Sequence, residues 1–162
     1  MKTIVYYYSL TGHCEEIASI IASQMNCNSE KIVEKKKRIS KGFLRFINGG
    51  SAIKKVTAEI ENVSNNPEQF DRIIVVTPFW AASPTPAVRG FIDQYKKELK
   101  GKSLGLAMTN LGSDPTEAFQ KYKELFPEPI ITISLTKSKD EWTEPKMGEK
   151  INQFISNLGV TS

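Results

Sequence analysis

YYYSLTGHCEEIASIIA, residues 6–22, holds the end of a strand, a turn and the start of a helix in one stretch. The apolar run from Ile4 stops at Tyr8, and Ser9, Leu10, Thr11 and Gly12 follow. Helical spacing then begins at once, with Ile17, Ala18, Ile20, Ile21 and Met25 on one face. Two readings of the turn are open. Any strand-to-helix turn needs a cap, and hydroxyls supply one. An anion at the helix start asks for the same residues, because that end carries a partial positive charge and amides without intrahelical partners.

Beyond this stretch the chain keeps alternating. Thr3–Tyr8 is β-branched and aromatic, hence a strand, and 31–33 is a short second one. Residues 72–77, RIIVVT, are almost wholly apolar, as expected of a strand covered on both faces. Pro86 starts a helix with Val88, Phe91, Ile92 and Tyr95 inward. A strand at 103–109 leads to a helix opened by Pro115, with Ala118, Phe119, Tyr122 and Leu125 inward. A strand at 130–135 leads to a last helix, opened by Pro145, with Met147, Ile151, Phe154, Ile155 and Leu158 inward. This alternation predicts an α/β fold: a doubly wound, five-stranded parallel sheet in the order 2-1-3-4-5. The 162 residues are read as one domain, with enough chain to bury a core.

Composition narrows the class. An apolar fraction of 40% and a charged fraction of 25% are those of an ordinary soluble globular protein. No apolar run approaches the roughly 18–20 residues of a membrane span. The start, MKTIVYYYSLTG, lacks the form of a signal peptide, so the expected location is the cytoplasm. Cys14 and Cys27 match neither a CxxC nor a zinc spacing and read as reduced thiols; no metal ligand set is expected. Residues 31–55 carry nine of the 22 basic side chains against Glu34 alone. Such a patch is either a solvated loop or a surface for an acidic partner. No aromatic RNA-binding motif or zinc finger accompanies it, so nucleic acid is not an expected partner. Residues 35–71 are too long for a simple connection. Phe43, Leu44 and Ile47 after Ser40, ending at Gly49-Gly50, suggest an amphipathic turn within it.

In this strand order ligands bind between strands 1 and 3, beyond their carboxyl ends. Three loops meet there. The first, Ser9-Leu10-Thr11-Gly12-His13-Cys14, suits a phosphate; it lacks the lysine of a GxxxxGK(S/T) loop, so an ATP-type site is not expected. The second runs from Thr77 through Pro78, Phe79, Trp80 and Ala81 to Pro86. Its aromatics either pack or stack on a flat ring. The third, Asn110-Leu111-Gly112-Ser113-Asp114-Pro115, lets backbone approach a ligand edge, with Asn110 able to donate and accept, or is an ordinary helix cap.

SLTGHCEEIA resembles the phosphate loop of flavodoxins, S/T-x-T-G-x-T before a helix, and VVTPFWAASPTPAVRGFIDQY resembles the segment after their third strand. The resemblance implies a flavodoxin-like three-layer sandwich and one noncovalent FMN. Ser9, Leu10, Thr11, Gly12, His13 and Cys14 would surround its phosphate, and Pro78–Ala81 and 110–112 would flank its ring. It implies electron transfer with a redox partner protein, and the basic segment suits an acidic one. The alternatives are an FMN-dependent NAD(P)H:quinone-type reductase, or a fold that has lost FMN and acts as a binding module. No catalytic side chain is singled out. Cys14 stands where the family pattern has a hydroxyl, and the third loop lacks the aromatic that covers the outer ring face in flavodoxins.

Overall fold

The computed structural model describes residues 1–38, 54–137 and 144–159. The turn expected around Phe43, Leu44 and Ile47 lies outside the described residues, as does Trp142. Five strands, β1 (Thr3–Tyr7), β2 (Asn28–Lys31), β3 (Arg72–Trp80), β5 (Ser103–Asn110) and β6 (Ile130–Thr136), pair in the order β2-β1-β3-β5-β6. Every pairing along this path is parallel. This is the doubly wound order expected from the alternation.

Side chains leave a strand on alternate faces, and both faces of this sheet are buried. Ile4, Tyr6, Ile73 and Val75 face one core, packed by helices α2 (Pro86–Gln94) and α4 (Thr116–Leu125) through Val88, Phe91, Ala118 and Tyr122. Val5, Ile74 and Val76 face the other, packed by α1 (His13–Gln24) and α5 (Glu144–Asn157) through Ile17, Ile21, Ile151 and Phe154. Each buried Val, Ile or Phe among these stabilises the fold by roughly 1.5–3 kcal/mol. Gly105 lets α5 approach: a Cβ there would stand 2.9 Å from the Phe154 ring. A short helix, α3 (Lys96–Leu99), completes the connection from α2 to β5.

Two elements depart from expectation. β2 is Asn28–Lys31, three residues ahead of the apolar signal at 31–33. It is an edge strand with mostly exposed side chains, so its register on Ile4–Tyr7 comes from backbone pairing rather than an apolar face. Ile32 is buried just past it, its amide on the Tyr7 carbonyl at 2.7 Å. The second departure is after Thr77. β3 continues to Trp80, turns, and returns as β4 (Ser83–Pro84), with Phe79 opposite Pro84 and Trp80 opposite Ser83. The turn is Ala81-Ala82, with φ of 49° and 52°. A two-residue turn with both φ positive usually signals itself by Asn-Gly or Asp-Gly; two alanines do not.

The return of the long 35–71 connection is tied down. Glu30 accepts from the amides of Ser64 and Asn65 and from Asn65 Nδ2. Tyr6 donates its hydroxyl to the Asn65 carbonyl. The Ala58 carbonyl lies so close to Gly90 that a Cβ there would stand 2.1 Å away.

Candidate functional site

The carboxyl ends of β1, β3 and β5 open on a cavity of about 450 Å³. This lies in the range of small-molecule sites, at the point where the strand order reverses.

The first wall is the loop after β1. Gly12 takes φ of 97°, a left-handed conformation that glycine adopts without strain, and starts α1. Its amide donates to Ser9 Oγ at 3.0 Å, so the Ser9 hydroxyl shapes the loop from a buried position. The first intrahelical hydrogen bond runs from the Glu16 amide to the Gly12 carbonyl. The amides of Cys14 and Glu15 precede it, in the turn where a helix offers donors to an anion. Thr11 is exposed, with Oγ1 3.5 Å from His13 Nδ1. Leu10, Thr11 and His13 all line the cavity.

Cys14 lines the cavity too, but its side chain turns into the core and meets the Thr109 hydroxyl at 3.1 Å. Burial pushes its thiol up to about 12. The group is therefore a neutral, sequestered thiol, and what position 14 offers an anion is its backbone.

The second wall is the β3–β4 hairpin, which contributes Pro78, Phe79, Trp80, Ala81 and Ala82. Beneath it sits Tyr122, fully buried. Its hydroxyl accepts from the Thr85 amide at 3.1 Å, lies 3.3 Å from Thr77 Oγ1, and is 3.3 Å from the Pro78 carbonyl. Burial raises the pKa of Tyr122, so it stays a neutral donor. Trp80 stands edge-on to Tyr8 at 5.9 Å, with the Arg38 guanidinium 5.7 Å from its ring centroid. Arg38 Nε is held by both oxygens of Glu34, at 2.8 and 2.7 Å, and the Tyr8 hydroxyl donates to the same carboxylate at 3.1 Å. Burial, then Glu34, raises the pKa of Tyr8.

The third wall is the loop after β5. Asn110 spends its side chain on that loop: Nδ2 donates to Ser134 Oγ at 2.8 Å and Oδ1 accepts from the Gly112 amide at 2.7 Å. Gly112, at φ of 110°, allows the bend. Leu111 is 68% exposed at the cavity edge. At the start of α4, Asp114 accepts from the Thr116 amide and hydroxyl, which lowers its pKa.

All the residues singled out from the sequence except Gly12 and Gly112 line this cavity, and those two set the bends on either side. Ala82 and Ser113, from the second and third expected loops, also line it, and two lining residues lie outside all three loops: Thr109 and Lys137. Lys137 follows β6, whose loop lies away from the switch point; the signal for it is the parallel pairing of Asn110 with Thr136. Tyr122 was anticipated as core, but nothing in the helical spacing shows that its hydroxyl supports the hairpin. Among the described residues, no cluster of His, Cys, Asp or Glu could hold a metal ion, and no helix is long and apolar enough to cross a membrane.

The family model for NADPH-dependent FMN reductases matches residues 9–128. The chain belongs to that family. The match begins in the loop after β1 and runs through the hairpin, the third loop and Tyr122. FMN is the cofactor of this flavodoxin-like family. Among solved structures, the chain is similar to a protein described as a flavoprotein from Bacteroides eggerthii, with 18% identity, a TM-score of 0.77 and 99% of each chain covered. It is similar to a flavoprotein in complex with FMN from Lactobacillus acidophilus, with 18% identity and a TM-score of 0.67 over 82% of this chain and 91% of that one. A Fusobacterium nucleatum flavodoxin bound to flavin mononucleotide has 14% identity and a TM-score of 0.59 over 98% of each chain. At these identities the likeness is one of fold. No curated protein matches the sequence.

Proposed function

We propose that this cavity holds FMN noncovalently and that the protein is an electron-transfer flavoprotein. The observation that carries the reading is the single cavity edge shared by an open helix start and an aromatic hairpin. The donors fit a terminal phosphate at one end: the first-turn amides of α1, the Thr11 hydroxyl and the Lys137 ammonium. The other end fits a flat ring, with Trp80 and Phe79 on a hairpin that Tyr122 pins from below. Bound FMN supplies one- and two-electron redox chemistry. The chain's own residues bind, orient and shield. Thr11 and the α1 amides hold the phosphate, Trp80 and Pro78 border the ring, and Leu111 shields its edge.

The family description favours a second reading, an FMN-dependent NAD(P)H:quinone-type reductase. The third wall brings no aromatic across the cavity, and Leu111 stands exposed at its edge. This leaves room for a second planar ligand to approach. An acidic redox partner docking near Lys35, Lys36 and Lys37, all exposed, belongs to the first reading, as does a cytoplasmic setting for the two free thiols.

Titrating the apoprotein with FMN, FAD and riboflavin tests cofactor binding. FMN should bind tightest, because the loop offers one terminal phosphate site; FAD binding as tightly would count heavily against this reading. Tryptophan fluorescence should be quenched on FMN binding and much less so in Trp80→Phe. NADPH consumption with a quinone and no partner reductase would select the reductase reading over the electron carrier.

A further inference from the structure

Lys137 is the first residue beyond β6. Its amide donates to the Asn110 carbonyl at 2.8 Å, so the pairing of β5 with β6 fixes where it stands. From there it lines the cavity, and its ammonium reaches His13 Nε2 at 2.5 Å. An ammonium only donates. Nε2 must therefore accept, which makes the imidazole neutral in this arrangement and puts its proton on Nδ1. That proton faces Thr11 Oγ1 at 3.5 Å. A Thr11 oxygen that accepts from His13 has its own hydrogen to give to another acceptor.

Charge points the same way. The stretch Ser9–Glu16 contains no lysine or arginine, and Glu15 and Glu16 put two carboxylates on the first turn of α1. A helix N-terminus contributes about half a positive charge. A phosphate monoester carries between one and two negative charges near neutral pH. The loop alone leaves such a group short of positive charge, and Lys137 brings one from 124 residues away. It lies outside the residues matched by the family model, which end at 128.

We propose that Lys137 selects for the phosphate of the flavin: its charge favours FMN over riboflavin, and its contact with His13 orients the Thr11 hydroxyl toward the phosphate. This rests on the FMN reading above. Lys137 is a specificity-determining residue through its charge and a positioning residue through His13.

The test uses the full chain with Lys137→Met and Lys137→Arg, titrated with FMN and with riboflavin by flavin fluorescence over a salt series. Lys137→Met should weaken FMN roughly tenfold at low salt. Riboflavin affinity should move by less than about twofold, because no charge is recognised there. Lys137→Arg should restore most of the FMN affinity, and the difference should shrink as salt rises. A second measurement needs no flavin. His13 is the only histidine of the chain, so its ring nitrogens are unambiguous by ¹⁵N NMR. The parent protein should show the Nδ1–H tautomer, and Lys137→Met a mixture. Equal loss of FMN and riboflavin would mean a merely structural role and would overturn the proposal. Unchanged FMN affinity, or unchanged His13 signals in Lys137→Met, would overturn it as well, leaving the FMN reading intact. A parent protein that binds neither flavin would overturn both.

Discussion

At the hairpin end of the cavity, one buried hydroxyl on Tyr122 meets the Thr85 amide, the Thr77 hydroxyl and the Pro78 carbonyl. At the loop end, Thr11 and Lys137 are exposed, and their partner His13 is half-buried. The first arrangement stores its energy in satisfied polar groups away from water, where losing one partner costs the full desolvation of the other. The second depends on charge and dipoles at a wet surface, where each contact is weak and screened. A site built this way keeps its hairpin wall rigid whatever the solution, while the phosphate binding proposed for its loop end should follow salt.

Tyr122→Phe is the sharpest way to break that contrast. It leaves the buried Thr85 amide without its acceptor, so stability should fall by about 2 kcal/mol in urea unfolding. The loss should not change with salt. A fall of only a few tenths would mean the hairpin stands without the network.

The next effect concerns the floor shared by both ends. Burial holds the Cys14 thiol up to about 12, against an ordinary value of 9.0. The unfolded chain releases this proton first, so above pH 9 it binds fewer protons than the folded one. Stability should decline from about pH 9 toward pH 12, by at most about 1.4 kcal/mol per unit from this group. Cys14→Ser removes the titration, and unfolding at pH 8 and 10 should show about 1 kcal/mol less alkaline loss than the parent. An identical decline in both proteins would assign it to other groups.

Smaller changes belong to the loop end. Thr11→Val should cost about 1 kcal/mol of FMN binding, near fivefold in Kd, with thermal stability unchanged. His13→Ala should cost less; the reverse order would mean that the imidazole, not the hydroxyl, meets the phosphate. Smallest of all, Lys35, Lys36 and Lys37 changed together to Gln should slow reduction by an acidic donor by about twofold at low salt and not at high salt. Arg38 is left out of that set because Glu34 and Trp80 already hold it. Stopped-flow rates equal to the parent at every ionic strength would make the lysines a solvated decoration.

The sequence made the sheet order legible because its strands and helices alternate with their apolar periods intact. All five inward positions named for α5 are buried. It also made legible the loops after β1, β3 and β5, because the crevice follows from strand order alone. What it hid has physical reasons. β2 is an edge strand whose side chains carry little apolar signal, so Ile32 and Val33 drew the boundary downstream. The hairpin was hidden because its turn lacks the residues that normally announce positive φ. The role of Asn110 was hidden because donors and acceptors look alike in sequence whether they serve a ligand or their own loop. Lys137 was hidden because only pairing across 124 residues brings it to His13.

The alanines at the hairpin tip have a thermodynamic consequence. A non-glycine residue held left-handed costs roughly 1 kcal/mol, and Ala81 and Ala82 are both held so. Asn-Gly at these positions would relax the turn and raise the melting temperature. Yet both alanines line the cavity, and their methyls would be lost or replaced by a polar amide. The tip therefore gives up folding free energy for a drier rim, and a stabilised variant should hold its ligand less well.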